Sequence, residues 1–130
     1  MKISMLGRHL LIEYYNCNEQ ILKDYKKVEY HLNEAAKLSG ATIVNSVFHH
    51  FNPYGVSGAV IIQESHLTIH TWPEYQYAAV DIFTCGDHVD PWKAFEYLEK
   101  VFEAQNVESS EEPRGIIEKI NKFNNKNDKI

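Results

Sequence analysis

The sequence has few cysteines, an excess of acidic over basic residues, and no long apolar run. Its two cysteines, Cys17 and Cys85, do not form the disulfide framework of a small secreted domain, although the pattern leaves a single bridge open. The 13 Lys and Arg against 18 Asp and Glu argue against a nucleic-acid-binding protein. No apolar run reaches the roughly 18 residues of a membrane span, and Arg8, His9 and Glu13 interrupt the segment where a signal peptide would be apolar. These absences predict a cytoplasmic protein that binds neither nucleic acid nor a membrane.

The length of 130 residues, 44% of them hydrophobic, predicts one domain with one core. The patterns predict strands at 6–15, 41–51, 56–64, 66–72 and 77–84, and helices at 19–39 and from Asp90-Pro91 onward. A short strand is expected near 106–111, and a short helix followed by a mobile tail at 115–130. Because the strands run in series with short connections, the sequence predicts a two-layer α/β sandwich: a mainly antiparallel sheet with two helices on one face.

The stretch 55–86 has a two-residue periodicity typical of neighbouring strands in one sheet. Apolar residues occupy even positions in 56–62, odd positions in 67–69, and even positions again in 78–82. If each apolar set packs on the same core, the opposite face carries four side chains capable of chemistry: Ser57, Ser65, His70 and Cys85. A slip of one residue would expose a whole apolar set, so burial fixes this register.

The parity changes at Glu64-Ser65-His66, where the backbone has to turn or bulge. A serine at such a break, with a histidine and a cysteine on the same face, is a candidate reactive site. Serine is also a common turn residue, so the pattern alone leaves both interpretations open.

The segment ESHLTIHTWPEY (64–75), followed by AAVDIFTCGD and DPWKA and preceded by LGRHLL near the N-terminus, resembles the small prokaryotic S-adenosylmethionine decarboxylase proenzymes. The resemblance implies that the chain cleaves itself between Glu64 and Ser65, giving a β chain of residues 1–64 and an α chain of residues 65–130. It implies that Ser65 becomes a pyruvoyl cofactor, and that two cleaved protomers form a homodimer. The implied reaction is decarboxylation of S-adenosylmethionine, which supplies aminopropyl groups for spermidine.

The resemblance also implies catalytic roles. Self-cleavage would begin with attack of the Ser65 hydroxyl on its preceding carbonyl, and strained backbone would help. Ser57 would donate a hydrogen bond to the developing oxyanion, and His70 would act as base in the elimination. The pyruvoyl ketone would form a Schiff base with the substrate, and Cys85 would protonate the α-carbon, since thiols are mostly protonated at neutral pH. Each residue also has an ordinary structural interpretation: a small strand residue, a hydrogen-bonded histidine and an inert thiol.

The predicted substrate contacts are Glu74 to the ribose hydroxyls and Phe51 as a ring that stacks on adenine, with Trp72 or His70 assisting. Aromatic faces also suit a sulfonium cation, although Phe51 and Trp72 are equally typical of a dimer interface. No metal site is predicted, because the adjacent His49 and His50 point to opposite faces of a strand.

Two alternatives stay open from the sequence. A protein with the same fold and self-processing motif could decarboxylate arginine or ornithine instead. A protein with the same fold could also be an uncleaved, non-catalytic binding subunit.

Overall fold

The structure, a computed structural model, describes the backbone of residues 4–128 and the side chains of residues 4–125. The strands are β1 (Met5–Tyr15), β2 (Ile43–His50), β3 (Val56–Ile62), β4 (Ser65–Trp72), β5 (Tyr77–Cys85) and β6 (Asn106–Ile116). The helices are α1 (Glu19–Leu22), α2 (Tyr25–Leu38), α3 (Pro91–Val101) and α4 (Ile117–Asp128), and a short 3-10 helix covers Pro73–Tyr75.

The six strands form one sheet in the order β2-β3-β4-β5-β1-β6, and every neighbouring pair is antiparallel. Apolar side chains on one face of the sheet, such as Leu10, Leu67 and Ile82, are fully buried together with Leu32 of α2 and Leu98 of α3. The predicted two-layer sandwich is therefore confirmed. We call the face that packs against α2 and α3 the helix face, and the other the open face.

The structure differs from the predicted elements in two places. The predicted helix 19–39 is broken before Tyr25, because Asp24 has an extended backbone and its carboxylate accepts hydrogen bonds from the N–H groups of Lys26 and Lys27. Aspartate in this role starts a new helix. The last strand is longer than predicted, because Asn106–Ile116 pairs with β1 along almost its whole length. The mobility predicted for residues 115–130 stays a prediction, and residues 129–130 lie outside the described part.

The open face leaves large apolar side chains in solvent. Leu11, Ile61 and Val47 are 38%, 44% and 67% exposed, and their positions in the register place all three on this face. Within residues 4–128, no helix is long and apolar enough to cross a membrane. Over the same residues, no group of three His, Cys, Asp or Glu side chains is arranged to hold a metal ion.

Candidate functional site

The hairpin between β3 and β4 places Ser65 in a strained backbone conformation. Gln63 and Glu64 form the turn, and Ser65 is the first residue of β4, opposite Ile62. The φ angle of Ser65 is +150°, a region that residues other than glycine rarely adopt. Such a conformation costs of order 1–3 kcal/mol and persists only where the surroundings enforce it. The predicted break in the strand is therefore present, and it is centred on the candidate serine.

Two contacts from Cys85 converge on the Glu64–Ser65 peptide bond. The Ser65 Oγ lies 3.8 Å from the Cys85 Sγ, and the backbone N–H of Cys85 donates a hydrogen bond of 2.8 Å to the carbonyl oxygen of Glu64. This oxygen would become an oxyanion if Ser65 attacked the carbonyl, and a fixed N–H is a suitable donor to it. Sequence reasoning missed this donor, because a backbone N–H leaves no signal in the residue types.

Gly7 makes room for these contacts. It pairs with Cys85 across β1 and β5, and a Cβ atom at Gly7 would lie 3.2 Å from the Cys85 Sγ and 2.6 Å from the ring of Phe83. The space in front of the thiol therefore depends on a residue with no side chain. We call the group formed by Gly7, Glu64, Ser65 and Cys85 the cleavage end of the sheet.

A second group of side chains lies at the opposite end of β3 and β4. The Ser57 Oγ is 2.7 Å from the His70 Nδ1. A cavity of about 280 Å³ lies beside this pair, lined by Phe51, Tyr54, Gly55, Ser57, His70, Thr71, Trp72 and Glu74. All three predicted substrate contacts, Phe51, Trp72 and Glu74, therefore lie together with Ser57 and His70. We call this group the pocket end of the sheet.

Three of the four side chains predicted to lie on the face opposite the core do lie on the open face. Ser57, His70 and Cys85 have the parity of the open face. Ser65 lies opposite Ile62 and Thr84, both buried, so its position in the ladder is that of the helix face. Its Oγ nevertheless reaches the Cys85 thiol.

The cleavage end and the pocket end are far apart within one chain. Ser65 and His70 are the first and sixth residues of β4, and a rise of about 3.3 Å per residue puts their Cα atoms about 17 Å apart. Ser57 lies directly opposite His70 and is equally distant. The predicted hydrogen bond from Ser57 to the Glu64 carbonyl therefore cannot form within one chain.

The two cysteines also lie apart. Cys85 pairs with Gly7 near the start of β1, whereas Cys17 follows the other end of that strand, and both are free thiols. Burial raises the pKa of the Cys17 thiol to about 12, so this thiol stays protonated and packs as a core residue.

The fold and its two groups of reactive side chains define a two-layer α/β enzyme. The chain belongs to the S-adenosylmethionine decarboxylase family, a family of lyases, whose model matches residues 8–115. It is 59% identical over 115 residues to an S-adenosylmethionine decarboxylase proenzyme of Fervidobacterium nodosum, covering 88% of this chain and 84% of the relative. It is 60% identical over 115 residues to the proenzyme of Thermosipho melanesiensis, covering 88% of each.

Among solved structures, the chain is similar to the adenosylmethionine decarboxylase of Aquifex aeolicus. The TM-score is 0.83 at 31% sequence identity, and the match covers 88% of this chain and 94% of the other. The resemblance found in the sequence is thus confirmed at the level of the family and the fold.

Proposed function

We propose that this chain cleaves itself between Glu64 and Ser65 and then decarboxylates S-adenosylmethionine in a site shared by two copies of the chain. The observation that carries the proposal is the strained Ser65, held between the Cys85 thiol and a carbonyl that already accepts a backbone hydrogen bond. Family membership supports S-adenosylmethionine as the substrate. It does not favour the alternative substrates arginine and ornithine, or a non-catalytic binding subunit.

The first step of self-cleavage uses groups that are already in position within one chain. The Ser65 hydroxyl attacks the Glu64 carbonyl carbon, and the Cys85 N–H stabilises the negative charge that develops on the oxygen. Collapse of this state moves the Glu64 acyl group from nitrogen to oxygen and gives an ester. Removal of the Ser65 α-proton by His70 expels the Glu64 carboxylate, and hydrolysis of the resulting dehydroalanine releases ammonia and leaves pyruvoyl.

The residues around Ser65 fit a small carbonyl group derived from this serine. Gly7 leaves space beside the thiol, and the Cys85 Sγ already faces the Ser65 side chain. When formed, the pyruvoyl group supplies the electron sink for decarboxylation. Cys85 donates the proton that replaces the lost carboxyl group on the substrate's α-carbon.

The pocket end supplies the substrate contacts. Glu74 accepts hydrogen bonds from the ribose hydroxyls, while Phe51 and Trp72 offer ring faces for adenine and for the sulfonium charge. These rings are 47% and 41% exposed in one chain, so their faces are open to a ligand or a partner. The cavity of about 280 Å³ is below the usual 300–1,000 Å³ of small-molecule sites, as expected for part of a site.

A second copy of the chain brings the two ends together. Two open faces can stack about 10 Å apart, and a two-fold axis perpendicular to the strands sets the cleavage end of each protomer against the pocket end of its partner. This arrangement brings Ser57 and His70 to the Glu64–Ser65 bond across the interface, although they cannot reach it within one chain. It also covers Leu11, Val47 and Ile61, the exposed apolar side chains of the open face.

Mixing two inactive variants tests the shared site. Ser65→Ala removes the attacking hydroxyl from the cleavage end, and His70→Ala removes the base from the pocket end. Each variant alone is therefore expected to be inactive. When the two are co-expressed, half of the dimers are mixed, and each mixed dimer keeps one intact site. The expected activity is about a quarter of the wild-type value, measured as CO2 release from S-adenosylmethionine.

The same experiment has a structural readout. Up to half of the His70→Ala chains should acquire an N-terminal pyruvoyl group in the co-expressed sample, whereas none should when expressed alone. A site contained within one chain predicts no gain in either activity or pyruvoyl formation on co-expression, and that result would contradict the shared site.

The substrate is tested by measuring CO2 release from S-adenosylmethionine, arginine and ornithine in parallel. We expect release from S-adenosylmethionine alone, because Phe51 and Trp72 at the pocket end offer ring faces for an adenine base, which arginine and ornithine lack. Faster CO2 release from arginine or ornithine than from S-adenosylmethionine would contradict the proposed substrate and favour that amino acid instead. The cytoplasmic location predicted from the sequence stays a prediction.

A further inference from the structure

Beyond the groups at the peptide bond itself, the side chain of Glu64 is held in place by a histidine that follows β5. The His88 Nε2 lies 2.7 Å from the Glu64 Oε2, and the backbone N–H of Thr42 donates to the Glu64 Oε1 over 3.2 Å. The carboxylate is only 10% exposed, whereas the imidazole is 62% exposed. The two oxygens are therefore held by partners from two separate parts of the chain.

We infer that His88 is a positioning residue for self-cleavage, because it fixes the Glu64 carboxylate and thereby the Glu64 carbonyl that Ser65 attacks. This inference rests on the proposed cleavage at Glu64–Ser65.

The backbone beside Glu64 is fixed as well. The Gln63 N–H donates to the Thr42 carbonyl over 2.9 Å, and the Glu64 carbonyl accepts from the Cys85 N–H over 2.8 Å. With its side chain also held, Glu64 has little freedom to rotate away from Ser65. This rigidity matters because a displacement of about 1 Å at a reacting centre can cost about a hundredfold in rate.

His88 also affects the charge on the Glu64 side chain. Its hydrogen bond is the main cause that lowers the pKa of the Glu64 carboxyl below its usual value, which favours the ionised form. A free carboxylate next to the developing oxyanion would oppose the negative charge there. Held by His88 and Thr42, the carboxylate directs its negative charge toward two fixed donors.

The backbone around His88 is anchored from the helix layer. Gly40 has a φ angle of +93°, and a Cβ atom there would lie 2.9 Å from the His88 carbonyl oxygen. The Asp90 N–H donates to the Ser39 carbonyl over 2.8 Å. The position of His88 thus comes from packing against the end of α2 and not from its own side chain, so a variant at His88 is expected to fold.

The test follows the first-order cleavage of pulse-labelled full-length chain on a denaturing gel. We expect His88→Ala to slow cleavage about ten- to a hundredfold, the range for losing a hydrogen bond to a charged group. His88→Gln, whose amide N–H can replace the Nε2 donor, should cleave at close to the wild-type rate. Because the imidazole is mostly exposed, added imidazole should partly restore cleavage of His88→Ala.

Three comparisons isolate the role of His88. His31→Ala removes a hydrogen-bonded histidine of α2, in the helix layer and away from both ends of the site, and should cleave normally. In a Glu64→Ala background, His88→Ala should cause no further slowing, because its partner is already gone. Once chains are cleaved, turnover per pyruvoyl-bearing site should match the wild type in His88→Ala, since the role ends with cleavage.

Wild-type cleavage with an equally fast His88→Ala variant would overturn this inference alone. So would a slow His88→Ala variant with an unchanged melting temperature that neither the glutamine variant nor imidazole restores. A wild-type chain that stays whole would overturn the proposed function, and this inference with it.

Discussion

Replacing Ser65 with alanine is expected to leave the chain whole and inactive. Alanine has no hydroxyl to attack the Glu64 carbonyl, so neither the ester nor the pyruvoyl group can form. The variant should fold, because the side chain loses only one oxygen and its contact with the Cys85 thiol. A denaturing gel should show a single band, with no carbonyl that reacts with a hydrazine.

Ser109→Ala is the matched control for this prediction. Ser109 is exposed on β6, away from both ends of the site, so the control should cleave and turn over like the wild type. Two fragments from Ser65→Ala would contradict the assignment of Ser65 as the source of the cofactor.

Replacing Cys85 with alanine is expected to separate cleavage from decarboxylation. Cleavage should continue, because alanine keeps the backbone N–H that holds the Glu64 carbonyl. Turnover per cleaved site should fall about a hundred- to ten-thousandfold, the usual contribution of a general acid. A proton delivered to the cofactor's own carbon instead would leave alanine at the N-terminus of the α chain and inactivate the site.

The measurement compares CO2 release per pyruvoyl group with the N-terminal residue of the α chain after turnover. Cys17→Ala serves as control, since that thiol is buried at the far end of β1 and should affect neither step. A Cys85→Ala variant with wild-type turnover and no excess alanine would remove the thiol from the mechanism.

Much of the fold could be predicted from the sequence, because burial on one face leaves a clear two-residue pattern. The change of parity around Ser65 indicated a break in the strand, and the structure has a hairpin turn and a φ angle of +150° there. The start of α2 was missed because Asp24 lies within a continuous helical pattern, and its capping hydrogen bonds decide where the helix begins.

The site was less predictable, because residues on the same face of a sheet can lie far apart along the strands. Ser57 and His70 have the same parity as Cys85, but parity does not report distance along the strand. The five-residue separation of Ser65 and His70 already implied about 17 Å. The Cys85 N–H and the His88 contact were not foreseen, because both depend on which loops meet at the turn and not on a local pattern.

The central claim is that this chain cuts itself at Glu64–Ser65 and converts the serine. The most direct test is the intact mass of the purified wild-type protein under denaturing conditions. We predict two species, residues 1–64 and residues 65–130, with the second lighter than a serine-initiated fragment by the mass of one ammonia. A single species with the mass of the whole chain would contradict the account.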